Sequence, residues 1–286
     1  MGIGMGTKMT MTAQAEEAVR NADCLIGAER MLDAVRGMEA AEGKPMFAEY
    51  RGDQILSHLR LHPEYRNVAV LFSGDTGFHS GAKGLSDLLG KEMPGCELQI
   101  VPGIASAVYL AARFKTSWED AALVSLHGKE ENFIQTVSRN RKTFLLLGGK
   151  DAGKRALERL REYGMGEVIL HVGTRLSYPD ERILSGTVQE FGETDLDGLS
   201  VVLAENPFPD LSACCHVPDT EFIRGDVPMT KEEVRAVSIA ALRLTSDAVV
   251  YDIGAGTGSV SVEAALSGTG IRVYAVEKNP EAVSLI

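Results

Sequence analysis

One repeated pattern does most to limit what this chain can fold into. Six short apolar runs, "VAVLFSG" (68–74), "LQIVPGI" (98–104), "ALVSLHG" (122–128), "TFLLLGG" (143–149), "EVILHVG" (167–173) and "LSVVLAE" (199–205), alternate with stretches such as "AQAEEAVRNA" and "KRALERLREYG". The runs have the length of buried strands, and the stretches between them carry apolar residues at the three- and four-residue spacing of amphipathic helices. Alternation of the two predicts an α/β fold with largely parallel sheets over residues 1–206, in two lobes of about 1–100 and 101–206. Gly164 supplies the stop of the second helix. The stretch "NPFPDLSACCHVPD" then brings three prolines and no periodicity, which predicts a linker over 207–227.

A second unit follows over 228–286. In "PMTKEEVR", Thr230 and Glu233 have the spacing of a capping box, so a helix is expected from there to about Leu244. Strand "AVVYDI", turn "GAGTG", helix "SVSVEAAL" and strand "IRVYAVE" come next. Two parallel strands with an apolar, unpaired edge do not close a core alone. The unit is therefore expected to be incomplete or to borrow from the first, and the cluster "GIGMGT" directly after Met1 gives the other end a cut look as well.

The glycine turn of the second unit reads Asp252-x-Gly254-Ala255-Gly256-Thr257-Gly258, with Glu277 at the end of the following strand. Glycines allow a tight turn and close approach of the backbone to a ligand; the helix from about Ser259 offers free N–H groups; an acid after the second strand can hold ribose hydroxyls. This is the layout of an adenosine site. A dinucleotide site needs G-x-G-x-x-G, which Ser259 interrupts, so the pattern favours a methyl donor over NAD. The first cluster is weaker alone, but "LFSGDTGFHSG" sets Gly74 and Asp75, and "VPGIASAVYLAARF" sets Pro102 and Gly103, at strand ends where α/β sheets bind ligands.

Composition limits the partners. With a formal net charge of -11, the chain repels phosphate backbones and anionic membranes, so neither is an expected partner. No apolar run approaches a membrane span, and four cysteines without repeated spacing suggest neither a disulfide framework nor a zinc site. His58 and His62 stand four apart with no third ligand nearby, and no metal is expected. A reducing cytoplasm fits these features.

At the level of combined motifs the chain resembles the tetrapyrrole (corrin/porphyrin) methylase family. The glycine start, "SGDTGF" where the family has a Gly-Asp-Pro, and "VPGIAS" where it has Pro-Gly-Ile-Ser/Thr, come in the family's order. "SLHGK", "FLLLGG" and "LSYPDERI" look like the cobalamin-pathway branch that methylates carbon 5 of the ring. "FIRGDVPMTKEEVRA" and "DIGAGTGSVSVEAA" look like its partner, which methylates carbon 15 and decarboxylates an acetate. The resemblance implies a two-lobed tetrapyrrole methylase fold followed by the first part of a Rossmann-like class I methyltransferase domain. It implies S-adenosylmethionine as methyl donor, a precorrin or cobalt-precorrin as substrate, and a homodimer. It also implies cofactor contacts from Met5, Gly74, Asp75, Phe78, Ala105, Ser106, Leu147 and Ala204 in the first domain, and from Thr230, Gly254 to Gly258 and Glu277 in the second. The family's first glycine loop tends to face the tetrapyrrole.

Methyl transfer from a sulfonium needs no acid for its leaving group, so alignment in a dry site is the protein's main task. Asp75 is expected to position donor or substrate, and His127, beside Gly128 at a strand end, to accept a ring proton or hold a carboxylate. A polycarboxylate substrate calls for local cations, with Arg113, Lys115, Lys129, Arg175 and Arg182 as candidates. Three other readings stay open: a methylase of another substrate, a NAD-dependent oxidoreductase, and a chain that only binds.

Overall fold

The computed structural model describes residues 1–126, 132–149, 151–192, 194–196, 198, 200–212 and 216–286. It divides into two compact units, Met1–Glu131 with Arg141–Pro207, and Asn132–Asn140 with Phe208–Ile286.

In the first unit a parallel sheet is formed by β1 (Cys24–Gly27), β2 (Met46–Ala48) and β3 (Val68–Leu71), in the order β2-β1-β3. Alternation along β1 explains how it is covered. Leu25 packs with Ala15, Val19, Leu32 and Val35 of α1 (Ala13–Asn21) and α2 (Glu29–Arg36). Its neighbours Cys24 and Ile26 turn the other way, onto Ile55, Leu56, Leu85 and Leu89 of α3 (Gly52–Leu61) and α4 (Ala82–Glu92). Burial on both faces turns each parallel strand into a continuous apolar run. All four residues of β1 are buried accordingly, and so short a run carries no periodicity to identify it.

Residues 1–4 join this layer as backbone. Phe72 N–H donates to Met1 O (2.9 Å), Ile3 N–H to Phe72 O (3.0 Å), and Gly2 N–H to Val101 O (2.9 Å). The expected strand at 98–104 does not form. Its Val101 carbonyl is used by Gly2, and Leu98 and Ile100 are left 45% and 52% exposed.

The other sheet of this unit has the order β4-β5-β8-β6-β7, from β4 (Ala122–Ser125), β5 (Lys142–Leu146), β6 (Ile169–Thr174), β7 (Arg182–Thr187) and β8 (Ser200–Glu205). Only β4 and β5 run parallel. The remaining three pairings are antiparallel, so the expectation of largely parallel sheets holds for β2-β1-β3 and is corrected for this sheet. The cause is β8, which enters between β5 and β6 and opposes both, with Leu203 opposite Phe144 and His171. A central strand reads as an apolar run in either direction, so strand sense is not written in it. β7 closes the edge with the mixed run RILSGT, which lacks a strand signature. α5 (Ser106–Arg113) packs on this sheet, and its Leu110 shares a core with Phe144, Leu176, Val201 and Leu203. α7 (Ala152–Glu162) ends before Gly164, whose φ is +69°.

The second unit holds α6 (Phe133–Arg139), α8 (Glu232–Leu242), β9 (Val249–Ile253), α9 (Ser259–Leu266), β10 (Arg272–Val276) and α10 (Pro280–Val283). β9 and β10 pair in parallel with Tyr251 opposite Tyr274, their rings stacked 5.2 Å apart. The expected capping box is absent. Lys231 is the N-cap of α8 without a side-chain bond, and Thr230 instead offers its carbonyl to Arg235 at 2.8 Å. Arg235 is fully buried and organises this end of the unit. It donates to Glu263 (2.7 Å), Asp219 (2.9 Å) and Val217 O (2.5 Å), and its guanidinium lies over the Phe222 ring. Five guanidinium donors satisfy several chain segments at once, which holds an otherwise irregular stretch on α8 and α9.

Candidate functional site

Three motifs far apart in sequence meet in the first unit through backbone. Asp75 accepts from Gly77 N–H at 2.8 Å with one carboxylate oxygen and from Gly103 N–H at 2.9 Å with the other. Gly74 and Gly4 exchange backbone hydrogen bonds. A Cβ added to Gly2 would stand 2.6 Å from Gly74 O and 2.8 Å from Gly103 N, so the glycine start, "SGDTGF" and "VPGIAS" cross where side chains have no room. Asp75 is thus the clasp between two of them, and its oxygens serve loop geometry.

This crossing forms one wall of a cleft of about 330 Å3, within the usual size of small-molecule sites. Met5, Gly74, Asp75, Phe78, Ser106 and Leu147, expected to contact the methyl donor, all line it. Ala105 is the buried N-cap residue of α5, directly before Ser106. Ala204 does not line the cleft. β8 faces the cleft with Ser200 and Val201, whereas Ala204 lies three residues further, roughly 10 Å along the strand, buried between Thr143 and Leu170. His127 and Lys129 lie outside the described residues.

Sequence reasoning missed Arg30, Ser73, His79, Ser125, Gly173, Leu176 and Ser200, which also line the cleft. Ser73 and His79 stand inside "LFSGDTGFHSG" beside the residues taken from it, and Arg30 follows β1, the strand too short to be singled out. The cleft joins apolar wall, from Met5, Phe78, Leu146, Leu147, Leu176 and Val201, to the serines Ser73, Ser106, Ser125 and Ser200. That mixture fits an adenosine with an amino-acid tail: apolar surface for the base, polar groups for the rest.

The cations picked from sequence are mostly engaged. Arg113 pairs with Glu181 at 2.8 Å, Arg175 with Asp180 at 2.5 Å, and Arg182 donates to Asp195 O at 3.0 Å.

In the second unit the turn after β9 has left-handed backbone at Gly254, Gly256 and Gly258, with φ of +83°, +57° and +74°. Glu277 closes it. One of its oxygens accepts from Gly256 N–H at 2.9 Å, and the other from Lys278 and Asn279 N–H at 2.7 and 2.9 Å. These backbone donors, that of Asn279 foremost, hold the carboxyl below the usual carboxylate range. A carboxylate offers about four acceptor positions, so one remains on the oxygen facing Gly256 for a ligand hydroxyl. Thr257 is buried, its hydroxyl without a partner among the described residues. The segment of Thr230 approaches this turn through Pro228, two residues before it, whose carbonyl would lie 3.0 Å from a Cβ on Gly256.

Among the described residues no helix is long and apolar enough to cross a membrane. Residues 1–192 match the family model of tetrapyrrole (corrin/porphyrin) methylases, and residues 221–286 match that of a precorrin methyltransferase domain. A precorrin-6Y C(5,15)-methyltransferase (decarboxylating) of Sinorhizobium sp. is 25% identical over 290 residues, covering 100% of this chain and 68% of that protein. A probable cobalt-precorrin-6B C(15)-methyltransferase (decarboxylating) of Pyrobaculum aerophilum is 52% identical over 71 residues, 24% of this chain. This chain spans only 36% of that relative's length. The solved structure of uroporphyrin-III C-methyltransferase from Thermus thermophilus, complexed with S-adenosylhomocysteine, has the same fold: TM-score 0.56, 20% identity, 71% of this chain and 94% of that one.

Proposed function

The chain belongs to the tetrapyrrole methylase family of S-adenosylmethionine-dependent methyltransferases, and from that premise we propose that its first unit methylates carbon 5 of a precorrin or cobalt-precorrin ring in cobalamin biosynthesis. The observation that carries this reading is the cleft itself, which gathers Met5, Gly74, Asp75, Phe78, Ser106 and Leu147 from separate motifs into one apolar-walled site. The succession of a tetrapyrrole methylase match and a precorrin methyltransferase match supports the choice of ring. Similarity along the whole of this chain to 68% of a C(5,15)-methyltransferase supports carbon 5 for the part outside the C(15)-like segment.

S-adenosylmethionine, when bound, supplies an electrophilic methyl group on sulfur. The residues of the chain orient and desolvate: Phe78, Leu146, Leu147 and Leu176 exclude water, and Asp75 locks the loop by its bonds to Gly77 and Gly103. Positioning of this kind supplies roughly 7 to 11 kcal/mol of a barrier. Asp75 acts as a positioning residue, one oxygen accepting from Gly77 N–H and the other from Gly103 N–H, which ties two loops at the cleft wall. The turn at Gly254–Gly258 with Glu277 is a second adenosine site, related to the carbon-15 reaction.

Isothermal titration with S-adenosylhomocysteine tests the reading. Binding that is lost in Asp75→Ala and kept in Gly256→Val places the donor in the first unit, and a second site lost only in Gly256→Val places another in the glycine turn. Absence of binding in the wild-type chain overturns the proposal.

A further inference from the structure

Among the described residues that line the cleft, Arg30 is the one arginine or lysine. It sits in the first turn of α2, and its guanidinium reaches two neutral acceptors, Tyr178 Oη at 3.0 Å and Ser73 Oγ at 3.2 Å. Of the acids nearby, Glu29 is taken by Arg36 at 2.8 Å, and Asp75 is held by backbone N–H groups. Among the described residues Arg30 has no carboxylate partner, unlike Arg113 and Arg175. Two of its five N–H donors are used, and the rest suffice for a two-point grip on a carboxylate.

The acceptor that aims Arg30 is itself fixed. The Tyr178 ring lies under the Arg175 guanidinium, and its hydroxyl abuts Gly6, where a Cβ would come within 2.2 Å. Arg175 and Ser177 hold left-handed backbone, with φ of +50° and +69°. That conformation is uncommon for residues other than glycine, asparagine or aspartate and persists where the surroundings determine it. The surroundings are Glu181, which accepts from Ser177 N–H at 2.7 Å and Tyr109 OH at 2.9 Å, and Thr7, whose hydroxyl donates to Ser177 Oγ at 3.1 Å. A guanidinium aimed by a braced tyrosine, at a cleft whose Asp75 accepts from loop N–H groups and does not pair with it, is prepared for an anion.

We propose that Arg30 binds a carboxylate within the cleft. This rests on the methylase reading, and two carboxylates could arrive there: the amino-acid tail of the methyl donor, or an acid side chain on the rim of the ring substrate.

Three probes separate them: S-adenosylhomocysteine, which has the tail; 5′-methylthioadenosine, which has the same nucleoside without it; and uroporphyrin III, a macrocyclic polycarboxylate. Loss of one charged hydrogen-bonded contact corresponds to roughly tenfold to hundredfold in affinity. Arg30→Met is expected to weaken one carboxylate-bearing probe by that factor and leave 5′-methylthioadenosine within twofold, with Arg30→Lys recovering part of the loss. A loss confined to S-adenosylhomocysteine assigns the donor tail, and one confined to uroporphyrin assigns the ring. Melting curves and circular dichroism establish that the variants fold. If Arg30→Met binds all three probes as the wild type does, or loses 5′-methylthioadenosine equally, the anchor is wrong while the methylase reading stands. Failure of the wild type to bind either carboxylate probe removes both.

Discussion

Replacing Gly103 by alanine tests the idea that the cleft depends on backbone crossing backbone. A Cβ at this position would lie 2.2 Å from Gly74 O and 2.8 Å from Gly2 C. Neither is the end of a flexible side chain that can swing aside, so the segments must separate. Overpacking of this kind costs about 1–3 kcal/mol, and the upper end applies where backbone must move. Alanine offsets roughly 0.5 kcal/mol of that by restricting the unfolded chain, which leaves about 2.5 kcal/mol. With a urea slope of 2–3 kcal/mol/M, the midpoint falls by about 1 M. Trp118 is the chain's single tryptophan and lies in the first unit, so its fluorescence reports the unit concerned. Gly84 is the control. It is exposed inside α4 with nothing within 4 Å of an added Cβ, and alanine there is expected to stabilise by about 0.5–1 kcal/mol. Gly103→Ala should also weaken S-adenosylhomocysteine, since Gly103 N–H holds Asp75. An unchanged or raised midpoint for Gly103→Ala would refute the steric argument.

Arg235→Met removes the buried guanidinium from Glu263 and leaves it Val217 N–H at 3.0 Å and His216 at 3.4 Å, so the second unit should lose about 3 kcal/mol, the lower end for a broken buried pair, and residues 216–222 should lose hydrogen-exchange protection; adding Glu263→Leu should recover much of this. Glu277 has its carboxyl depressed in the folded state, so its contribution is complete above the unfolded value of about 4.3 and disappears as pH falls through the lower folded value. Glu277→Gln should therefore flatten the acid-side decline in protection of Gly254–Gly258, read by hydrogen exchange corrected for intrinsic rates; an unaltered slope counts against the clasp. Gly256→Val forces a branched side chain into φ of +57° against Pro228 O, and should destabilise the turn by roughly 1–3 kcal/mol, visible as a lower melting temperature of the second unit.

The division between what is legible in the residues and what is not follows the range of the interactions. Strand–helix alternation, the stop at Gly164 and the turn at Gly254–Gly258 were readable in the sequence, because local spacing and the tolerance of glycine for positive φ act within a few residues. Six of the eight residues expected to contact the methyl donor line one cleft, and the motifs they come from each lie in one contiguous stretch. Tertiary structure alone decided that β8 runs antiparallel between β5 and β6, since an apolar run is the same in both directions. It decided that 98–104 stays irregular, because Gly2 claims Val101 from a hundred residues away. Thr230 spends its carbonyl on Arg235 instead of capping a helix, an outcome set by a buried charge that needed acceptors. Arg30 had no motif to announce it. Its importance comes from what surrounds it, a tyrosine braced from one segment and an aspartate already engaged by another, and such juxtaposition exists only once the chain has folded.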